Sequence, residues 1–502
     1  MTYTSLNFVL FMIVLLGLYY CPLFKDRQWI IVLSGSLFFY LYNGYKYAYF
    51  ILLTALSIYL ASLYIGREKK GKRLVFWLCL IFNFSLLVFL KYYNFVASGI
   101  GLKELKLFLP LGISFYTFSA TGYLIDVYWG NIKPEKNFFF FLSFISFFPS
   151  VIQGPINSYN QLGKELKENH ELTYENIRDG LARIIWGLFK KMIIADRAVI
   201  ALDKYCENTS LYNGTVTLFM VLLYAAQLYT DFSGGIDISI GVSRLLGIKL
   251  RENFRRPYFA QSISEYWQRW HISLGDWMKR YLFYPLTTSS LFMKLSSSLR
   301  KSKFLQSPSG KNVARVLPGA LASFIVFMVV GIWHGANDKY LGFGFWNASV
   351  IAVSILLTPT FRKWKKALKI NEKSNWWKLF KMFRTFTIVL IGYYFDIAEN
   401  FKAAMVMLKR TFSDQNFFEA YGVIKELGLT KSDYILIFLM LLVVLFVSIQ
   451  QEKYNSDNPW DLLKGKKMIV KWVCLFIILF FIAIYGIYGP GYNPRDFVYM
   501  QF

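Results

Sequence analysis

Ile469–Tyr485 reads IVKWVCLFIILFFIAIY and Asn7–Leu23 reads NFVLFMIVLLGLYYCPL. Neither run alternates apolar and polar residues as a barrel strand would. A bilayer core about 30 Å thick needs roughly 20 apolar residues in a helix, and lipid admits only helices or closed barrels. The two runs are therefore read as helical spans. Further candidates lie near 29–45, 47–66, 74–95, 108–128, 138–153, 181–201, 215–232, 316–333, 340–358, 384–397 and 433–450. The fold class that follows is all-α: a polytopic integral membrane protein with about 11–13 transmembrane helices, the shorter or more polar candidates being re-entrant or interfacial. A single domain, 1–502, is expected, with 468–502 as its final span and aromatic tail. The first run lacks the basic n-region and small-residue cleavage site of a signal peptide, so it is expected to be retained.

Composition agrees. The chain is 56% hydrophobic and 17% charged, where a soluble domain carries about 25% charged residues. The net charge of +26 would suggest nucleic acid in a soluble protein. Here Lys and Arg gather in short loops, at Arg67–Arg73, Arg362–Lys381 and Lys464–Lys471, so membrane topology explains them better. The positive-inside rule makes those loops cytoplasmic and both termini extracytoplasmic. Ser289–Lys311 reads as a solvated loop, and Asp396–Asp433 as an external segment with amphipathic helices. The four cysteines show no CxxC spacing, so no zinc or redox site is expected; they read as packing residues.

There are three histidines. His170 lies in a charged stretch and reads as a solvated loop residue. His271 lies in WQRWHISLGDW (Trp267–Trp277), and His334 in GIWHGAND (Gly331–Asp338), where the apolar run Leu321–Val330 ends. A titratable group at or inside a membrane is costly and marks a functional candidate. Imidazole, with an unperturbed pKa of about 6.5, suits proton transfer near neutral pH.

Several segments resemble the membrane-bound O-acyltransferases, the MBOAT family. WQRWHISLGDWMKRYLFYP (Trp267–Pro285) is similar to the first histidine signature of the bacterial polysaccharide acetylases, and WHGA (Trp333–Ala336) to the second. YTDFSGGIDISIGVSRLLG (Tyr229–Gly247), LGISFYTFSATGYLIDVY (Leu111–Tyr128) and FFPSVIQGPI (Phe147–Ile156) also look like family segments. The likeness runs from about residue 35 to the end. His rather than Asn at 271 favours the polysaccharide branch, which includes the alginate O-acetylation subunits.

The resemblance implies helices around a central tunnel and acyl transfer from a thioester to a hydroxyl. His334 would be the base. His271 would orient the donor, bind the carbonyl oxygen or shuttle a proton. Trp333 would support the site. Asp231 and Asp237 would orient an imidazole, or else cap a helix. Arg255, Arg256, Arg269, Lys279 and Arg280 would hold donor phosphates, or else serve only topology. The donor implied is acetyl-CoA, with an acyl carrier protein as the alternative. The implied partner is an extracytoplasmic transferase of the SGNH-esterase type. In the tail DFVYMQF (Asp496–Phe502), Tyr499 matches a tyrosine that relays the acyl group in related systems; the plainer reading is an interfacial anchor. No metal or bound cofactor is expected. Two rivals remain: a family member acting on other acceptors (D-alanyl transfer to teichoic acid, or a lipid or protein substrate), and a transporter, which would show inverted repeats.

Overall fold

The computed structural model describes residues 1–489 apart from 46, 47, 69 and 108; the tail that carries Tyr499 lies outside the described residues. Among the described residues the fold is helical, with a single antiparallel bridge, Phe254 to Trp270. Seven helices are long and apolar enough to cross a bilayer on their own: Ala48–Gly66, Lys72–Gly99, Gly214–Leu245, Gly310–His334, Asp338–Ala367, Lys431–Tyr454 and Met468–Tyr485. Leu6–Tyr19 and Pro22–Gly44 meet at 91° and would add an eighth span only as a bent pair.

Three of the remaining candidate segments are broken or short, for a physical reason. Residues 138–153 form Phe138–Ser146 and Phe148–Gln153, with Pro149 in the first turn of the second helix. Ile113–Tyr128 has only 16 residues and is buried along nearly its whole length. A helix surrounded by protein need not match the thickness of lipid. Residues 181–201 form Tyr174–Leu188, a π-helical segment Phe189–Ala195, and Asp196–Glu207.

Two further expectations change. Ser289–Lys311 is not a solvated loop. Ser289 caps a helix, Ser290–Lys301, by accepting from the Phe292 N–H, and Phe292 is buried beneath it. His170 is not a freely solvated side chain either. Its Nε2 lies 2.8 Å from the Glu165 carbonyl. Its backbone N–H donates to Gln28 at 2.7 Å. Of the cysteines, Cys79 is buried and Cys206 exposed.

Contacts group the chain into two compact units. Of the described residues, one comprises Met1–Val199, Ala226–Asn253 and 431–489; the other comprises Ile200–Ala225 and Phe254–Thr430. In the first unit, Tyr174–Leu188 touches Gly214–Leu245 backbone to backbone. A Cβ on Gly180 would meet the Gly241 carbonyl oxygen at 2.9 Å, and one on Gly187 the Gly234 oxygen at 2.5 Å. That approach joins buried charges. Arg183 binds Asp237 and Glu252, both at 2.6 Å. Lys190 binds Asp237 at 2.5 Å. Lys191 binds Asp231 at 2.6 Å and Asp196 at 2.9 Å. Paired in this way, the charges can stay away from water.

In the second unit, Pro308–His334 and Asp338–Ala367 form a helical hairpin. They cross where Gly331 faces Gly344. A Cβ on Gly331 would lie 2.5 Å from the Tyr340 carbonyl oxygen and 2.7 Å from the Gly344 Cα. Because those obstacles are backbone, Gly331→Ala is expected to cost about 1–3 kcal/mol by overpacking. Gly319, on the same helix, has nothing within 4 Å of such a Cβ. Gly319→Ala should gain up to about 1 kcal/mol of helix propensity. Thermal unfolding of the two purified variants checks the contrast: the first should melt below wild type and the second should not.

Candidate active site

His334 is the last residue of the helix Pro308–His334, and Gly335 follows in an extended conformation. The helix stops there because the next segment is fixed from outside it. The Asn337 side chain caps the following helix by accepting from the Lys339 N–H at 3.0 Å. Lys339 Nζ donates to the carbonyls of Asp396 (2.9 Å) and Ala398 (2.8 Å) at the end of the helix Asn375–Ile397. A cation there satisfies carbonyls that a helix end leaves without partners. The Phe401 N–H donates to Asp338 at 3.0 Å. The turn that carries His334 is thus tied to a third helix and the chain beyond it.

His271 arrives by a different route. It sits between two seven-residue helices, Ile263–Arg269 and Ile272–Met278, with φ 47° and ψ 53°. That is the left-handed region, uncommon for a residue with a Cβ and sustained only where the surroundings hold it. The Phe254–Trp270 bridge and an Arg255 N–H to Arg269 carbonyl bond of 2.9 Å hold the chain just before it.

Both imidazoles are buried, His271 with 2% and His334 with 7% of its surface exposed. The Trp333 ring neighbours both, its centroid 6.1 Å from that of His271 and 5.2 Å from that of His334. His334 also meets Tyr340, stacked at 6.1 Å, and Phe343, edge-on at 5.0 Å. Burial, with His334 as a second cause, pushes the His271 pKa down to about 3. His271 is therefore neutral at physiological pH, with one ring nitrogen a donor and the other an acceptor.

A cavity of about 300 Å³ adjoins His271. Gln268, Asp276 and Lys279 give its lining polar groups, and Val326, Val330 and Ile351 give it apolar ones. Ser323, Val326 and Val330 line it from one helix. Their spacing of three and four continues to His334, which therefore extends the same helical face. A small apolar cavity with a few polar groups and a neutral imidazole suits a short acyl group and its carbonyl.

The other expected site residues are distributed as follows. Lys279 lines the cavity and lies 5.7 Å from the Tyr284 ring centroid. Arg280 lies 5.4 Å from the Tyr281 ring centroid. Arg269 is paired with Glu265 at 2.8 Å and donates to the Arg255 carbonyl at 3.3 Å. Arg256 is buried in the left-handed region, φ 49°. Asp231 and Asp237 lie inside the helix Gly214–Leu245, not at its end, so neither caps it; both belong to the ion pairs of the first unit. Among the described residues, no group of three or more His, Cys, Asp or Glu is placed to hold a metal ion.

The sequence reading passed over Tyr340, Phe343 and Asn347. Tyr340 and Phe343 look like ordinary apolar-run residues until the hairpin folds them onto His334. Asn347 did carry a signal, being polar within an apolar run. It accepts from Trp267 Nε1 at 3.3 Å and donates to the Phe343 carbonyl at 2.9 Å.

Comparison with known proteins agrees with this geometry. The profile of "MBOAT, membrane-bound O-acyltransferase family" matches residues 135–301. A probable alginate O-acetylase of Pseudomonas syringae pv. tomato is 32% identical, over 82% of this chain and 75% of its own length. A peptidoglycan O-acetyltransferase of Helicobacter pylori is 31% identical, over 77% of this chain and 74% of its own. A teichoic acid D-alanyltransferase of Bacillus subtilis is 29% identical, over 57% of this chain and 67% of its own. With about one third of its residues shared over three quarters of an alginate O-acetylase, a helical multi-span fold and His271 at the wall of a cavity whose helical face His334 extends, the chain belongs to the membrane-bound O-acyltransferase family.

Proposed function

We propose that this enzyme takes an acetyl group from a cytoplasmic thioester, acetyl-CoA, and passes it across the membrane for O-acetylation of an extracytoplasmic polysaccharide. The observation that carries this reading is the pair of buried histidines about Trp333, one of them at the wall of a small cavity. His334 takes the proton from the attacking hydroxyl. The oxygen bonds to the thioester carbonyl, and His271, neutral, donates a hydrogen bond to the oxyanion that forms. The carbon–sulfur bond then breaks, and the leaving thiolate takes the proton back from His334. The relatives named as O-acetylase or O-acetyltransferase favour acetyl as the cargo. D-alanyl is the alternative, favoured by a relative that shares less of the chain. Lys279 is the basic residue best placed to meet the donor; Arg255, Arg256, Arg269 and Arg280 serve it more remotely. An acyl carrier protein is the alternative donor.

A polysaccharide is too large and polar to reach a buried site, so a partner transferase on the outer side, of the SGNH-esterase type, completes the reaction. The enzyme lies in the cytoplasmic membrane, the inner one where there are two, with both termini outside. Tyr499 carries the acetyl group between the two proteins. The leaving-group order supports this. A thiol of pKa about 8.5 leaves more readily than a phenol of about 10, and a phenol more readily than a sugar hydroxyl.

His334→Ala should lower acetyl transfer from labelled acetyl-CoA by roughly 10²–10⁴-fold, the usual worth of a general base, at unchanged protein level. His271→Ala should lower it by roughly 10²–10³-fold, as loss of an oxyanion donor does. Near wild-type transfer by the His334 variant would end the assignment. Tyr499→Phe keeps the ring and removes only the nucleophilic oxygen. Polymer acetylation should fall to background, and mass spectrometry of the wild-type C-terminal peptide should show an acetyl mass on Tyr499. Full acetylation by the Phe variant would leave the tail as an anchor.

A further inference from the structure

Three tyrosines of the second unit, Tyr266 and Tyr393 buried and Tyr258 half-buried, form a hydrogen-bonded chain. The Tyr258 hydroxyl donates to the Ala225 carbonyl at 2.7 Å. Its oxygen lies 3.2 Å from the Tyr393 hydroxyl, which lies 2.9 Å from that of Tyr266. A phenol has one proton to give. Tyr258 gives its proton to Ala225, so Tyr393 donates to Tyr258 and Tyr266 donates to Tyr393. The chain therefore has a direction, from the helix Ile263–Arg269 through Asn375–Ile397 to the carbonyl of Ala225.

The beginning of that chain bears on His271. Tyr266 stacks on Trp270 with centroids 5.7 Å apart and planes 18° apart. Trp270 is the residue from which the backbone enters the left-handed turn at His271. Tyr266, Trp270 and Tyr393 are each under 5% exposed. A side chain in a sparsely populated backbone region keeps its place only where the neighbours over-determine it. Through the Tyr393 hydroxyl, the helix Asn375–Ile397 holds Tyr266 by a hydrogen bond of 2.9 Å.

We infer that Tyr393 is a positioning residue for His271: through Tyr266 and Trp270 it holds the strained turn that aims the imidazole at the cavity. This rests on the reading that His271 acts in transfer. Tyr393→Phe removes one oxygen and keeps the ring, which packs edge-on against Tyr224 at 5.7 Å.

Two measurements on the full-length protein in nanodiscs test it. In steady-state transfer from acetyl-CoA, Tyr393→Phe should lower kcat roughly tenfold, as a small misplacement of a reacting group does, and leave KM within about twofold. The chain has three histidines, so ring-¹⁵N-histidine labelling gives three imidazole environments. The His271 signals, identified by their loss in His271→Asn, should shift in Tyr393→Phe, and those of His170 should not. Tyr266→Phe should reproduce both effects. A Tyr393→Phe protein that only melts earlier, with wild-type kcat and His271 signals, overturns the positioning role alone. Wild-type kcat in His271→Asn overturns the transfer role of His271 and the positioning role with it.

Discussion

At Gly331 and Gly344 two helix backbones touch, and the site of the second unit follows from that contact. The crossing brings the Tyr340 carbonyl against Gly331. The first helix can then end three residues later, at His334, with Tyr340 and Phe343 already against its imidazole. A side chain at Gly331 would separate the helices and open the aromatic enclosure together with the turn. Lys339 and Asp338 fix the far side of the same turn to the chain around Asp396–Phe401. His334, the proposed base, is therefore placed by rigid elements, the arrangement that lets an oriented group contribute most to a rate.

The first unit meets a similar constraint with charge as well as shape. Arg183, Lys190, Lys191, Asp196, Asp231 and Asp237 are all buried. Removing any one partner would leave a charge with too little compensation, far costlier than loss of a surface pair. The helices that carry Arg183, Asp231 and Asp237 approach at glycines, and that close approach lets such short side chains as Asp231 and Asp237 reach the cations. The same glycines permit the contact and the ion pairs that close it.

Much of this was readable in the sequence, because lipid imposes long apolar runs and long apolar runs show. The long spans and the two histidines at the ends of aromatic motifs stand out for that reason. Segments enclosed by protein are freed from the length rule, which is why 138–153 and 181–201 read as simple spans and fold as broken helices. Ser289–Lys311 reads as loop from its serines, yet Ser289 starts a helix that needs only Phe292 to anchor it. Asp231 and Asp237 carried a charge signal without an address, since Lys191 lies 40 positions from Asp231 and Arg183 54 positions from Asp237. Tyr340, Phe343 and Tyr393 were invisible because an aromatic residue in an apolar run looks like packing until the fold gives it a neighbour.

The central claim is that acyl transfer at the two-histidine site runs from one side of the membrane to the other. Sealed vesicles containing the purified protein in one orientation, with labelled acetyl-CoA on the side of the segment Lys464–Lys467 and the polysaccharide with its partner transferase on the opposite side, test that claim most directly. The account predicts labelled acetyl esters on the polysaccharide while the vesicles stay sealed and the donor stays on its own side. Label found only as acetate on the donor side, or transfer that requires donor and acceptor to share a compartment, would contradict it.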